Sequence, residues 1–160
     1  MVTATGFEFV KVSDDWLRRV LATLRLVKRT RWMVYRFPWQ RRVRVTHPDD
    51  VDPRAADRHR VRRHEFHHVQ DFIPWWGPWV QISLCALLPL PVLFSGRWFV
   101  ERRAYRDAID QGWTTVDRVL DVLWSKYAFA WPRPLMRAWL EAHAKDPHFN
   151  LVIPNEPDDD

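Results

Sequence analysis

Apolar residues recur at helical spacing through Trp16, Leu17, Val20, Leu21, Leu24 and Val27. This predicts an amphipathic helix that ends near Lys28, with that stripe turned inward. Ser13, followed by Asp14 and Asp15, supplies an N-cap and acids for the first turn. The period then changes to two. Trp32, Val34 and Phe37 form one alternating run, and Val43 and Val45 alternate with Arg42, Arg44 and Thr46 in another. Two short strands are expected, with Pro38 in the hairpin between them. Asp52 and Pro53 open a long helix, because an acidic N-cap suits the position and proline at N1 loses no hydrogen bond. Nothing interrupts it before Asp71, and Pro74 stops it, so the helix is roughly 28 Å long. Further on, Arg97 to Gln111 reads as a helix closed by Gly112. Thr114 or Thr115 caps another through Val116, Leu120, Val122, Leu123 and Tyr127. Pro132 to Lys145 is the last, with Leu135, Met136, Trp139 and Leu140 inward. The expected class is α+β, mostly helical, with one domain over 1–153 and a disordered acidic tail at 154–160.

Residues 72–96 break the alternation, because they carry no charged side chain. They hold Trp75, Trp76 and Trp79 together with Pro74, Pro78, Pro89 and Pro91. The chain has 11 Trp among 160 residues, and such large side chains must find a core, a groove or a membrane interface. Hydrophobic residues make up 47% and charged residues 28%, which excludes wholesale disorder. Cys85 is the one cysteine, so an intramolecular disulfide and a Cys-rich zinc finger are excluded. A bound metal must therefore take His and carboxylate ligands. The net charge of +5 is unevenly spread: residues 1–63 hold 16 Lys and Arg against 7 Asp and Glu, and residues 64–160 hold 9 against 13. A basic half suits nucleic acid or an anionic membrane surface. No Gly-rich phosphate loop, Cys/His finger or RNA-binding aromatic signature supports specific nucleic-acid binding. Met1 to Asp15 lacks the features of a secretory signal, so a cytoplasmic location is expected.

The candidate chemistry lies in the long helix, at His64-Glu65-Phe66-His67-His68, which matches H-E-x-x-H. Histidines four apart share a helix face and can hold one Zn2+ at about 2.0–2.1 Å each. Zinc lowers the pKa of a bound water to about 7, and the neighbouring Glu65 carboxylate suffices as its general base. His67 lies off the midline of the pair, as an exposed bystander or a donor behind the ligands. A catalytic zinc takes a third protein ligand. His143 and His148 are possible, and Glu101 is the better candidate. It follows a long apolar flank, and Ala104 allows its helix to approach another closely.

These residues resemble a known family. His64-Glu65-Phe66 with His68, followed by Glu101-Arg102 with Ala104-Tyr105, is similar to the minimal gluzincin-type zinc metallopeptidases of bacteria over about residues 30–110. The resemblance implies a zincin-like domain in which His64, His68 and Glu101 bind zinc and Glu65 is the general base. It also implies a strand above the metal, Arg42 to Thr46, that pairs with an extended peptide or protein substrate. Many relatives carry an acid where this chain has Arg103. Tyr105 is the candidate to stabilise the oxyanion.

A site of this kind bears on residues 72–96. They are long enough to cross a bilayer, for which about 20 residues are needed. A single crossing would place Glu101 on the far side from His64 and His68, so the segment is expected to be a core connection or an interfacial dip. The leading expectation is a zinc metallopeptidase, cytoplasmic and in possible peripheral contact with the inner membrane face. The other is a metal-stabilised binding module that docks a membrane surface or protein partner through its basic and Trp-rich surfaces.

Overall fold

The computed structural model describes residues 6–25, 27–81, 96–126 and 132–145. The chain is α+β and mostly helical, and it divides into two compact units, Met1–Val80 and Gln81–Asp160. The tail at 154–160, His148 and residues 82–95 of the apolar segment lie outside the described residues. No helix among the described residues is long and apolar enough to cross a membrane.

The first unit is built on a three-stranded sheet. Strand β1 (Phe7–Lys11) runs parallel to β3 (Val43–His47), and β2 (Met33–Tyr35) runs antiparallel to β3 on its other side. The order is β1-β3-β2, so β3 is central. This corrects the expectation that Arg42 to Thr46 offers a free edge to a peptide. The alternation of Phe7 and Phe9 forms an additional strand, and its pairing occupies that edge. Helix α2 (His59–Phe72) covers the sheet, burying Val69 and Phe72 against Val34, Val43 and Val45. Phe66, on the same helix, meets Phe7 edge-on with ring centroids 4.6 Å apart. α2 starts later than Asp52-Pro53 suggests. The Asp52 carboxylate accepts the Arg54 N–H at 2.9 Å, which closes a local turn in place of a cap. A short 3-10 turn (Ala56–Arg58) then leads into the helix.

Helix α1 (Trp16–Thr23) departs most from its hydrophobic pattern. Part of its apolar stripe faces solvent: Trp16, Val20 and Leu24 are exposed and Leu17 and Leu21 half-buried, while Arg18 is fully buried. The cause is a polar cluster beneath the helix. Asp15, not Ser13, is the N-cap, and its buried carboxylate accepts the Arg18 N–H at 2.9 Å. It also accepts the Tyr35 hydroxyl at 2.5 Å and Arg44 Nη1 at 3.3 Å. The Arg18 guanidinium donates to the carbonyls of Lys28 and Arg31 at 3.2 and 2.5 Å. These partners exist only inside the unit, so Arg18 turns inward and the apolar ridge turns out.

Burial and the hydrogen bond to Asp15 push the Tyr35 phenol up to about 12, against about 10 in an unfolded chain. The folded state thus favours the neutral phenol. Its contribution to stability is whole below about pH 10 and is lost as the pH rises towards about 12. Tyr35→Phe has no such group to titrate. Its denaturation midpoint is expected to fall less than that of the wild type over this alkaline window.

Past α2 the chain turns tightly. Arg36 donates to the carbonyls of Phe72 and Ile73 at 2.7 and 3.1 Å, and residues 77–81 are again helical. A Cβ on Gly77 would sit 2.4 Å from the Asp71 carbonyl oxygen and 2.9 Å from Phe72 Cα. Both are backbone atoms and cannot swing aside. Gly77→Ala is expected to destabilise the fold by about 1–3 kcal/mol, read as a lower midpoint in urea.

The second unit is a helical cluster of α3 (Gly96–Asp110), α4 (Val116–Lys126) and α5 (Arg133–Ala142). Trp98, Val119, Leu120, Leu123, Met136 and Leu140 form its core. Leu135 faces solvent rather than the core. Gly112, at φ +70°, ends α3 as expected. Its N–H reaches the Ile109 carbonyl and that of Trp113 reaches Ala108. Thr115 caps α4 by accepting the Arg118 N–H at 3.3 Å. Arg106 ties α3 to α5 through the Leu140 carbonyl at 2.5 Å and pairs with Asp110.

Candidate metal centre

His64 and His68 lie in the middle of α2, one turn apart on one face. Their ring centroids are 5.1 Å apart and the ring planes cross at 80°. His68 is buried and His64 half-buried. The helix places them so because Phe66, Val69 and Phe72 must face the sheet, which sets the rotation of every other side chain on α2. His67 is fully buried, so it is not the exposed bystander that its position off the midline suggested.

Glu65 is half-buried. Burial pulls the Arg18 guanidinium below its ordinary value, and the nearby Asp15 carboxylate and, less strongly, the Glu65 carboxylate offset this by favouring the charged form. Arg18 is a residue that the sequence reading missed at this site. Its one signal was an arginine inside an apolar stripe, and such residues are ordinarily solvated.

Glu101 lies in α3 and is 4% exposed, so it is not a solvated helix glutamate. A buried carboxylate requires a charge or hydrogen-bond partner. Ala104, on the same helix, is buried. Tyr105 packs its ring against the core of Trp98, Leu120 and Leu123. His143, the other described candidate for third ligand, is engaged at the end of α5. Its Nδ1 is 2.9 Å from the Trp139 carbonyl, and its ring stacks on Trp139 at 4.3 Å.

One potential ligand atom from each of His64, His68 and Glu101 lies within 4.8 Å of the other two. Three atoms bound to one tetrahedral zinc are about 3.3 Å apart. Two imidazoles with a carboxylate are also a donor set that zinc takes, so the residues present fit the ion. Among the described residues this is the group with metal-binding geometry. No protein-family model, curated protein or solved structure matches the chain.

Proposed function

We propose that this protein is a zinc-dependent metallohydrolase, most simply a metallopeptidase. The observation that carries the reading is the convergence of ligand atoms from His64, His68 and Glu101 within 4.8 Å. The ligands come from two helices far apart in the chain, and the non-ligand carboxylate Glu65 directly follows the first of them. Peptide as the substrate class rests on the resemblance of this histidine–glutamate pattern, with Glu101, Ala104 and Tyr105, to gluzincin-type peptidases.

When bound, zinc supplies Lewis-acid polarisation and acidifies a coordinated water. The chain's own residues do the rest. His64, His68 and Glu101 would hold the ion, the glutamate bringing one negative charge to it. Glu65 takes the proton from the attacking water and holds it for the departing amine. Tyr105, one turn beyond Glu101, is the candidate donor to the developing oxyanion.

Elemental analysis of purified protein tests the ligand set. The wild type is expected to carry one zinc per chain. His68→Ala and Glu101→Ala should each lose most of it, since catalytic zinc is held by only three protein ligands. Stoichiometric zinc in either variant would refute the assignment. A peptide panel run on the same preparations tests the hydrolysis.

A further inference from the structure

We infer that the first unit docks on an anionic lipid surface through the outward ridge of α1 and the aromatic stack beside it. The inference goes beyond the proposed hydrolysis and does not depend on the metal.

The surface begins at Trp39, which is 73% exposed. Its ring stacks on Phe37 with centroids 4.9 Å apart and planes within 2°. Phe37 in turn stacks on Trp16 at 6.2 Å and 8°. Three parallel rings therefore hold Trp39 in place. From Trp16 the ridge continues along α1 at i+4 and i+8 through Val20 and Leu24, the latter 61% exposed. The stripe is not turned outward by accident, because Arg18 occupies the inward side with its buried acceptors. Arg36, next to Phe37, bonds the carbonyls of Phe72 and Ile73. It thereby ties this stack to the segment whose Trp75, Trp76 and Trp79 are each 49% exposed.

Charge selects the partner. Residues 16–48 contain ten Lys and Arg and no Asp or Glu. Arg18, Arg36 and Arg44 are spent on internal carbonyls and carboxylates, and the remaining seven are exposed. Indole rings with an aliphatic ridge, bordered by arginine, suit the headgroup boundary of a negatively charged bilayer. Nucleic acid would use the stacked rings, but it has no use for Val20 and Leu24, because bases stack on planar surfaces.

Vesicle co-sedimentation of the full chain tests this. The protein is expected to bind vesicles of equal phosphatidylcholine and phosphatidylglycerol, to bind pure phosphatidylcholine at least tenfold more weakly, and to release as salt is raised. Trp39→Ser should weaken binding by about tenfold. Arg19→Gln with Arg42→Gln should weaken it on the order of tenfold or more. All three side chains are exposed, so unchanged circular dichroism and melting temperature confirm that the fold is intact. Equal binding by Trp39→Ser and wild type would overturn the proposal, as would failure to bind either vesicle. Tighter binding to a single-stranded oligonucleotide than to the anionic vesicles would overturn it too, as would a dimer that Trp39→Ser dissolves.

Discussion

Glu65→Gln is expected to keep its zinc and its fold and to lose peptide hydrolysis by a factor of about 10²–10⁴, the usual cost of removing a general base. Glutamine keeps the shape and the hydrogen-bonding oxygen but cannot accept a proton. Glu65 is not among the three residues that bring ligand atoms together, so metal content is expected to stay close to that of the wild type. A residue with only a structural role behaves in the opposite way. Its replacement lowers the melting temperature, and activity falls in proportion to the folded fraction. Zinc content, melting temperature and hydrolysis measured on one preparation separate these outcomes. Cleavage by Glu65→Gln at the wild-type rate would sink the hydrolytic mechanism, even with zinc in place.

Asp15→Ala is expected to destabilise the protein by about 3 kcal/mol. Loss of a helix N-cap costs about 1 kcal/mol, and a buried hydroxyl left without its acceptor costs about 1–3 kcal/mol more. Asp15 is fully buried and serves both roles, capping α1 through the Arg18 N–H and accepting the Tyr35 hydroxyl. It also supplies one of the negative charges that favour buried Arg18. Asp15→Asn keeps acceptor oxygen for the cap and is expected to lose less. Urea denaturation of both variants checks the ranking. An unchanged midpoint for Asp15→Ala would show that the cluster does not hold α1 in its observed rotation.

That rotation also matters for the lipid surface. If Arg18 were not secured inside, α1 would gain by turning Trp16, Val20 and Leu24 inward, as its spacing alone suggests. A variant that frees Arg18 is therefore expected to lose vesicle binding along with stability, whereas Trp39→Ser loses binding alone.

Local chemistry was legible in the sequence. Histidines four apart on a helix share a face whatever the helix packs against, so the His64 and His68 pair followed from spacing. Gly112 and Thr115 act within a few residues of themselves, and they end and begin helices as expected. The buried carboxylate at Glu101 was foreshadowed by the apolar flank before it. What depended on partners distant in the chain was not legible. The central place of β3 follows from β1, some 36 residues earlier in register, which pairs along one side while β2 pairs along the other. The burial of His67 follows from the rotation that Phe66 and Val69 impose on α2. The orientation of α1 depends on Asp15, Arg18, Tyr35 and Arg44 meeting in space. Hydrophobic period reports which residues share a face, but the tertiary structure decides which face is buried. A buried arginine whose terminal guanidinium nitrogens find backbone acceptors can outweigh an apolar stripe in that choice, because only the folded interior supplies those acceptors.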